Sequence, residues 1–423
     1  MSSASWVEKL QETISRFVGW LDRYGETSYD FQTFYASPGG QKAKALYYKQ
    51  RPLGTLAVGP IIFCEAFFPS ARRLFWKPQR FPIADAHYAM GFASLSQTLE
   101  EKRYYQRAVH FLEVLEATRC QGQKHYAWGY PFDWVGIGGT IKEGTPLITT
   151  EPYVYEAFSQ VYEIDKDEKW RQIMWSLAQH ASEDYFDVET SPRASRASYT
   201  PSPEPSGGGV VNASAYRAFL LTKAALDFSE EKFRRQADRN MHFVLESQNA
   251  DGSWYYAMDG RRSFVDHFHT CFVMKALAKI EQLTRDSECT KAIERGVNYY
   301  VKNLFDEAGL PKPFSKAPRL TIYRRELYDY AECINIATLL RGRFPELDAK
   351  LCSVLNDLFA RWQRPDGSFR SRHLLLGWDN VPMHRWAQAQ LFRSFCGLLS
   401  QTKEKPRSEL LAQMQPAASP VLS

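Results

Sequence analysis

The segment HTCFVMKALAKI (269–280) is followed, after a short polar link, by KAIERGVNYYVKNLF (291–305). The first segment is apolar on nearly every side, which is typical of a buried helix. The second places its apolar residues at helical spacing among charged ones, which is typical of a helix with one face in solvent. Together they predict a helical hairpin with a buried first helix and an outer second helix.

The same alternation runs along the whole chain and predicts an all-α fold. Repeats of about sixty residues predict six amphipathic and six buried helices, which favours an (α/α)6 toroid of six hairpins. In the first helix, Ser5–Tyr24, Ser5 and Glu8 have capping-box spacing. The amphipathic helices are predicted to start near Ser5, Glu101, Asp167, Ser229, Ser287 and Glu346, and the buried ones near Pro82, Pro146, Val211, Phe264, Arg325 and Pro382.

Loop lengths predict where a cleft would form. Links from a buried to an outer helix are short, whereas the return links are long, so the long loops share one end of the ring. We expect residues 1–400 to be one toroid domain, with 26–81 as an extended loop, flap or short β-hairpins because it contains SPGG and RPLG. The Pro and Gly content of YTPSPEPSGGGVVNAS (199–214) predicts a mobile lid. The polar composition of residues 401–423, which have no helical periodicity, predicts a disordered tail.

Composition excludes several functional classes. The net charge of +5 is too small and too scattered for a nucleic-acid-binding face, although it is compatible with an anionic substrate. The seven cysteines form no CxxC pair, which indicates reduced thiols. No apolar run of about 18 residues occurs, so we expect a cytoplasmic protein without a membrane span, and no motif predicts a cofactor.

The buried helices begin at the loop-bearing end, so their first turns point polar groups at the cleft. Any one of these groups could instead cap its helix. Their recurrence on otherwise apolar helices favours a binding site. The candidates are Asp85, His87, Thr150, Asn212, Asp266, His269, Glu326, Asp329, His384 and Arg385.

The densest constellation is SFVDHFHTCFVMKAL (263–277), where Asp266 and His269 lie one helical turn apart. Burying an imidazole and a carboxylate together is unfavourable unless they pair or act chemically, although a core histidine is the alternative. His267 and His269 point in different directions on a helix, and no second His or Cys cluster follows, so no metal site is predicted.

Loop aromatic residues point to a carbohydrate partner. The chain contains 11 Trp, 23 Tyr and 27 Phe, and HYAWGYPFDWVGIGG (125–139) sets Trp128, Tyr130, Phe132 and Trp134 near glycines. Sugar rings stack on flat aromatic faces, and we predict this role for Trp128 and Tyr130. Phe132 and Trp134 are expected to pack the loop itself.

Several motifs resemble known families. FVLESQNADGSWYY (243–256) and LFARWQRPDGSF (358–369) resemble the QW-type turn of triterpene cyclases and other α/α toroids, which implies the fold. WGYPFDW, TPLITTEPYVYEAF, VVNASAY and VDHFHTCF resemble a bacterial family found with polysaccharide-synthesis genes and often mislabelled δ-aminolevulinic acid dehydratase. That label implies a TIM barrel, which an all-helical pattern excludes. The chain is also similar to the C-terminal domain of glucuronyl C5-epimerases and to helical polysaccharide lyases.

The resemblance implies lyase or epimerase chemistry on a glycan that contains uronic acid, within polysaccharide or capsule biosynthesis. An inverting glycoside hydrolase, a non-catalytic scaffold that binds glycans with other assembly proteins, and an isoprenoid cyclase are the alternatives. Abstraction of the C5 proton needs a base and a neutralised carboxylate. The catalytic candidates are His269, Asp266, Tyr256, Glu326 and Asp329, with substrate contacts from Trp254, Tyr328, Asn212 and Arg385 in addition to the first-turn groups and loop aromatics.

Overall fold

The computed structural model describes residues 3–202 and 208–404. Part of the predicted lid, 203–207, and most of the predicted tail, 405–423, lie outside these ranges. The helices are α1 (Ser3–Tyr24), α2 (Thr33–Ala36), α3 (Pro38–Lys49), α4 (Arg51–Phe67), α5 (Arg72–Phe75), α6 (Pro82–Leu99), α7 (Lys102–Ala117), α8 (Glu151–Asp165), α9 (Glu168–Glu183), α10 (Val211–Phe228), α11 (Glu231–Glu246), α12 (His267–Thr284), α13 (Ser287–Asn303), α14 (Leu327–Leu339), α15 (Pro345–Asp357) and α16 (Ala389–Glu404).

Short strands occur only in the loops of the described chain. A π-helical turn, Leu358–Trp362, extends α15, and a second, His384–Gln388, precedes α16. The strands form three two-stranded antiparallel sheets and one three-stranded sheet. They are β1 (Trp134–Gly136), β2 (Gly139–Ile141), β3 (Asp187–Ser191), β4 (Ala194–Ala197), β5 (Val265–Asp266), β6 (Phe314–Lys316), β7 (Tyr323–Glu326), β8 (Arg372–Leu374) and β9 (Trp378–Asp379).

Six inner and six outer helices form a closed ring, which confirms the predicted (α/α)6 toroid. The inner helices α6, α8, α10, α12, α14 and α16 pack in sequence, and α16 returns to α6. At that junction a Cβ placed on Gly91 would lie 2.5 Å from the Phe392 ring, so glycine lets the two helices meet. The outer layer consists of α1, α7, α9, α11, α13 and α15.

Two DG turns fasten neighbouring outer helices together. Gln248 Nε2 donates to the Ala292 carbonyl of α13 at 2.9 Å, and Gln363 Nε2 donates to the Thr13 carbonyl of α1 at 3.1 Å. Gly252 and Gly367 adopt φ of +91° and +98°, which favours glycine. The QW-type turns therefore act as clasps, and the second one closes the ring between α15 and α1.

The segment 26–81 is helical and forms neither an open flap nor β-hairpins. Its base is closed by a bridge between Ser28 and Gln79, and α2 to α5 lie between them. Gly54 of α4 sits so close to Tyr47 that a Cβ would lie 2.1 Å from its Cα. Gly54, in the RPLG motif that predicts a loop, therefore serves close helix packing, and Pro38 and Pro52 lie in the first turns of α3 and α4, where proline is tolerated. We call residues 26–81 the insertion.

The start of the first helix differs from the expected one. The first helix begins at Ser3, so Ser5 lies within the helix and is not the N-cap of a capping box with Glu8.

No single helix in the described part of the chain is long and apolar enough to cross a bilayer. Only α4 together with Pro69–Phe75 has that length and composition, as a pair bent by 117°.

Candidate active site at the loop end of the ring

Asp266 and His269 form a hydrogen-bonded pair at the start of α12. Asp266 is the N-cap residue, and its Oδ1 accepts the His269 backbone N–H at 2.9 Å. Its Oδ2 lies 2.6 Å from His269 Nδ1. Because a carboxylate can only accept, the neutral form of this imidazole carries its proton on Nδ1 and has its lone pair on Nε2. The pair therefore presents Nε2 as a base held in one orientation.

Aromatic rings surround this imidazole but leave part of it open to solvent. The centroids of Tyr256 and Phe268 lie 4.6 and 4.4 Å from that of His269. The His269 side chain is 22% exposed to solvent. Within residues 3–202 and 208–404 its Nε2 has no hydrogen-bond partner, so the base remains available to a ligand.

Two carboxyl groups at the start of α14 differ in their surroundings. Glu326 accepts a hydrogen bond from Arg372 Nε at 2.8 Å, and Arg372 also donates to Glu65 of α4 at 2.7 Å. Asp329 lies one turn further along, and neither of its buried carboxylate oxygens has a partner among the described residues. Burial, reinforced by the charges of Glu326 and Asp266, raises the pKa of Asp329 well above its usual range.

Asp329 and His269 have different surroundings, which suit Asp329 to act as an acid and His269 to act as a base. Asp329 is favoured in its protonated form, in which it donates a proton, whereas His269 presents a lone pair. The pKa of Glu326 is also raised, mainly by burial, and Arg372 opposes the rise. A carboxyl group with a raised pKa near an oriented imidazole is a usual arrangement for acid–base catalysis.

Half-buried tyrosines and cations line the remainder of the cleft. Burial raises the pKa of Tyr256, and the phenols of Tyr130 and Tyr48 add to that rise, so a loop and the insertion both reach this cleft. Burial lowers the pKa of Lys44 to about 8. Sequence patterns did not predict several residues that lie close enough to interact electrostatically with the groups described above: Tyr35, Lys44, Tyr48, Tyr199, Tyr323 and Arg372.

Arg385 lies in an aromatic enclosure beside the cleft. Its Nη2 is 2.6 Å from Asp30 Oδ2, and its guanidinium lies 4.6 Å from the centroid of Tyr130. Tyr130 is half-buried, as a stacking residue would be, and its role as a substrate contact stays a prediction. Since Asp30 already neutralises Arg385, a substrate carboxylate would have to displace Asp30 to bind there.

Three predicted substrate contacts lie in the core, which corrects their placement. Trp128 is fully buried and donates its indole N–H to the Leu115 carbonyl at 2.8 Å. Trp254 is buried and donates to the Val244 carbonyl at 2.9 Å. His384 is buried between the Tyr88 hydroxyl and the Gly25 carbonyl, and burial lowers its pKa to about 4. Their polar groups are occupied in holding loops and helices together.

The other first-turn candidates are buried around the cleft. Asp85 is bound by Arg80 through two hydrogen bonds of 3.0 Å, and burial raises its pKa to about 7. His87 has no hydrogen-bond partner in the described chain and lies 4.5 Å, centroid to centroid, from Tyr153. The Asn212 Oδ1 is likewise buried without one. Thr150 and Tyr328 are almost fully buried.

Below the cleft, polar side chains continue along the axis of the ring. Tyr153 and Tyr216 share a hydrogen bond of 2.6 Å, and Lys275 Nζ lies 2.5 Å from Glu332 Oε2. Lys275 also donates to Tyr153 at 3.4 Å. A cavity of only about 10 Å³ lies beside these residues, so no sizeable ligand fits there. We call these four residues the axial column.

Among the described residues, no three His, Cys, Asp or Glu side chains are grouped as metal ligands would be.

No family model matches the sequence, and no curated protein matches it significantly. Solved structures do match its fold. The cellobiose 2-epimerase of Bacillus thermoamylovorans superposes with a TM-score of 0.61 at 10% identity, covering 77% of this chain and 88% of that one.

Two further solved structures have the same ring. The cellobiose 2-epimerase of Spirochaeta thermophila gives a TM-score of 0.58 at 14% identity, covering 78% of this chain and 89% of that one. An inactive double-aspartate variant of a Salegentibacter α-1,6-mannanase, in complex with α-1,6-mannotriose, gives 0.57 at 12% identity, covering 76% and 90%. At these identities the likeness establishes the fold and leaves the reaction to the site.

Proposed function

We propose that this chain is a carbohydrate-active enzyme that moves a proton at a sugar carbon, as an epimerase or a lyase acting on a glycan that contains uronic acid. The observation that carries the proposal is the pairing of an oriented, partly exposed base with a buried acid. His269 Nε2 is available at the cleft, and Asp329 is favoured in its protonated form. Proton abstraction and proton return need these two states at once.

The proposed reaction begins with loss of the C5 proton of a uronate to His269 Nε2. Charge then develops on the C6 carboxylate, and Lys44, whose Nζ lies over the Tyr35 ring, is the cation proposed to stabilise it. In an epimerase, Asp329 or Tyr256 returns a proton to the opposite face of C5. In a lyase, the same acid protonates the departing glycosidic oxygen, and a C4–C5 double bond remains.

The structural neighbours support a carbohydrate substrate for this proposal. Two of them are named as cellobiose 2-epimerases, and a third was solved with α-1,6-mannotriose bound. The half-buried tyrosines of the cleft provide the flat faces on which sugar rings stack. A role in polysaccharide or capsule assembly, and a cytoplasmic location suggested by seven cysteines that form no CxxC pair, are part of the proposal.

The test compares His269→Ala with His242→Ala on uronic-acid polysaccharides. His242 is a matched control because its side chain is 21% exposed and lies 3.7 Å from Glu288, on an outer helix. We expect His269→Ala to lower turnover about 10²–10⁴-fold with an almost unchanged melting temperature, and His242→Ala to remain active. Turnover is read from unsaturated-uronate absorbance and from deuterium exchange at C5.

Two outcomes would contradict the proposal. Equal activity of His269→Ala and the wild type would remove His269 from the chemistry. Binding of these glycans by the wild type with neither exchange nor unsaturated product would favour a non-catalytic glycan-binding protein. Loss of folding in His269→Ala would instead identify a core histidine, and Asp266→Asn, which keeps the shape of the helix cap, would then be used as the second variant.

A glycoside hydrolase is the second candidate, and Asp329 is the observation that favours it. A buried, protonated carboxyl group is what a general acid in glycoside hydrolysis requires. The mannanase variant was inactivated at two adjacent aspartates, whereas the present sequence contains no two consecutive aspartates. A hydrolase would therefore have to draw its second carboxylate from Asp266 or Glu326, and release of reducing ends without C5 exchange would support it.

A further inference from the structure

The insertion carries an exposed apolar surface on α4 and the residues that follow it. Leu56 is 75% exposed, Phe63 is 56% exposed and Leu74 is 87% exposed. Side chains of this size are rarely left in water in a contiguous group without a binding role. We call the group the apolar stripe, and it consists of Leu53, Leu56, Phe63, Phe67, Phe68 and Leu74.

The stripe lies on the face of α4 that points away from the ring. At about 3.6 residues per turn, Leu53, Leu56, Phe63 and Phe67 fall on one side of the helix. The opposite side packs inward, with Gly54, Val58, Ile61 and Glu65 buried. The 117° bend after Phe67 turns the chain so that the following residues extend this surface sideways.

The charge around the stripe is strongly positive. Residues 36–80 contain eight Lys and Arg and a single acidic residue, Glu65. Arg72 is buried against Asp379, and Arg80 pairs with Asp85 and Glu26, so these two arginines do not add to the surface charge. Glu65 is buried and bound by Arg372, so it does not offset the charge outside. Exposed basic residues precede and follow the stripe: Lys42, Lys49, Arg51, Arg73 and Lys77.

We propose that this surface docks on the anionic lipid face of a membrane, as an interfacial helix that does not span it. Apolar side chains enter the boundary between head groups and acyl chains, and basic residues contact acidic head groups. A second copy of the chain fits less well, because a two-fold interface would bring the basic residues of both copies together. The inference does not depend on the catalytic proposal.

The test is co-sedimentation of the full chain with vesicles of phosphatidylcholine alone or mixed with phosphatidylglycerol. We expect binding to the anionic vesicles that weakens as salt is raised. Leu56→Gln/Phe63→Gln should weaken binding at least about tenfold. Arg73→Gln/Lys77→Gln should weaken it only on anionic vesicles. The matched control is Leu226→Gln, since Leu226 is 56% exposed on α10, away from the stripe.

Each result decides the proposal. A wild-type chain that stays in the supernatant with anionic vesicles overturns it. So does a chain that sediments as a dimer and becomes monomeric in Leu56→Gln/Phe63→Gln, since the stripe would then bind a second copy. Equal vesicle binding by this variant and by Leu226→Gln would also overturn it. Near-ultraviolet circular dichroism confirms that each variant keeps the ring.

Discussion

Asp329 is the residue whose protonation depends most directly on its place in the ring. Its carboxyl group is buried without a partner in the described chain, and burial raises its pKa above the usual value of 3.8. The unfolded chain releases this proton at lower pH than the folded chain does. Stability is therefore reduced as pH rises from the unfolded pKa toward the folded pKa, and the reduction persists above it.

Asp329→Asn removes this unfavourable charge while keeping the shape of the side chain. We expect it to raise the melting temperature more at pH 8 than at pH 4, where the aspartate is already protonated in the folded state. Activity should fall about 10²–10⁴-fold because the acid is lost. Thermal denaturation at both pH values and a turnover assay check this. A melting temperature lowered equally at both would indicate a paired, charged Asp329.

At the same scale, the sequence predicted the contact between Asp266 and His269 better than it predicted the surroundings of that pair. Asp266 and His269 are three residues apart at the start of a recognisable helix, so their contact follows from local geometry. Trp128 and Trp254 lie in loops, where no period separates a buried ring from an exposed one. Lys44 and Tyr323 reach the cleft only through tertiary packing, so no sequence pattern identified them.

The DG turns are the elements whose role can be tested most cleanly. A Cβ on Gly367 would lie 2.3 Å from the Arg16 carbonyl oxygen of α1, and its φ is +98°. Gly367→Ala should therefore reduce the free energy of unfolding by about 1–3 kcal/mol in urea denaturation. Gly377→Ala is the control, because Gly377 has φ of +80° and open space around it. Equal losses would mean that the clasp contributes nothing beyond backbone strain.

The twelve ring helices and the insertion differ in how far the sequence could predict them. Ring helices follow the period of 3.6 residues per turn closely enough that their alternation, and hence the toroid, could be predicted. In α4, Pro52 lies in the first turn and Pro60 inside the helix, and both favour a loop in sequence analysis. Gly54 packs closely against Tyr47 of α3, and that contact has no signature in sequence.

At the scale of the whole molecule, the axial column joins inner helices through buried charges. Lys275 and Glu332 are 7% and 0% exposed. Lys275→Met should lower the free energy of unfolding by about 3–5 kcal/mol, because it leaves Glu332 buried without its cation. Adding Glu332→Gln should restore most of the loss. Urea unfolding of both variants tests this expectation.

The control for the axial column is a pair on the surface. Lys223 and Asp227 form an ion pair at 3.1 Å in which each side chain is 24% exposed. Lys223→Met should change stability by less than about 1 kcal/mol, because water compensates an exposed partner. A similar small effect of Lys275→Met would show that Glu332 takes up a proton or reaches water when its partner is removed.

The clasp between α15 and α1 also sets the order in which the molecule can be completed. Gln363 holds the Thr13 carbonyl, and Arg16 donates to the carbonyl of Arg364. A ribosome makes α1 long before its partners α15 and α16, which follow the other ring helices. The side of α1 that these partners cover, including the part of Phe17 that meets Phe369 and Phe392, therefore stays uncovered until they are made. The packing of α1 is completed only when α16 is made, and during that interval a chaperone has a defined segment to protect.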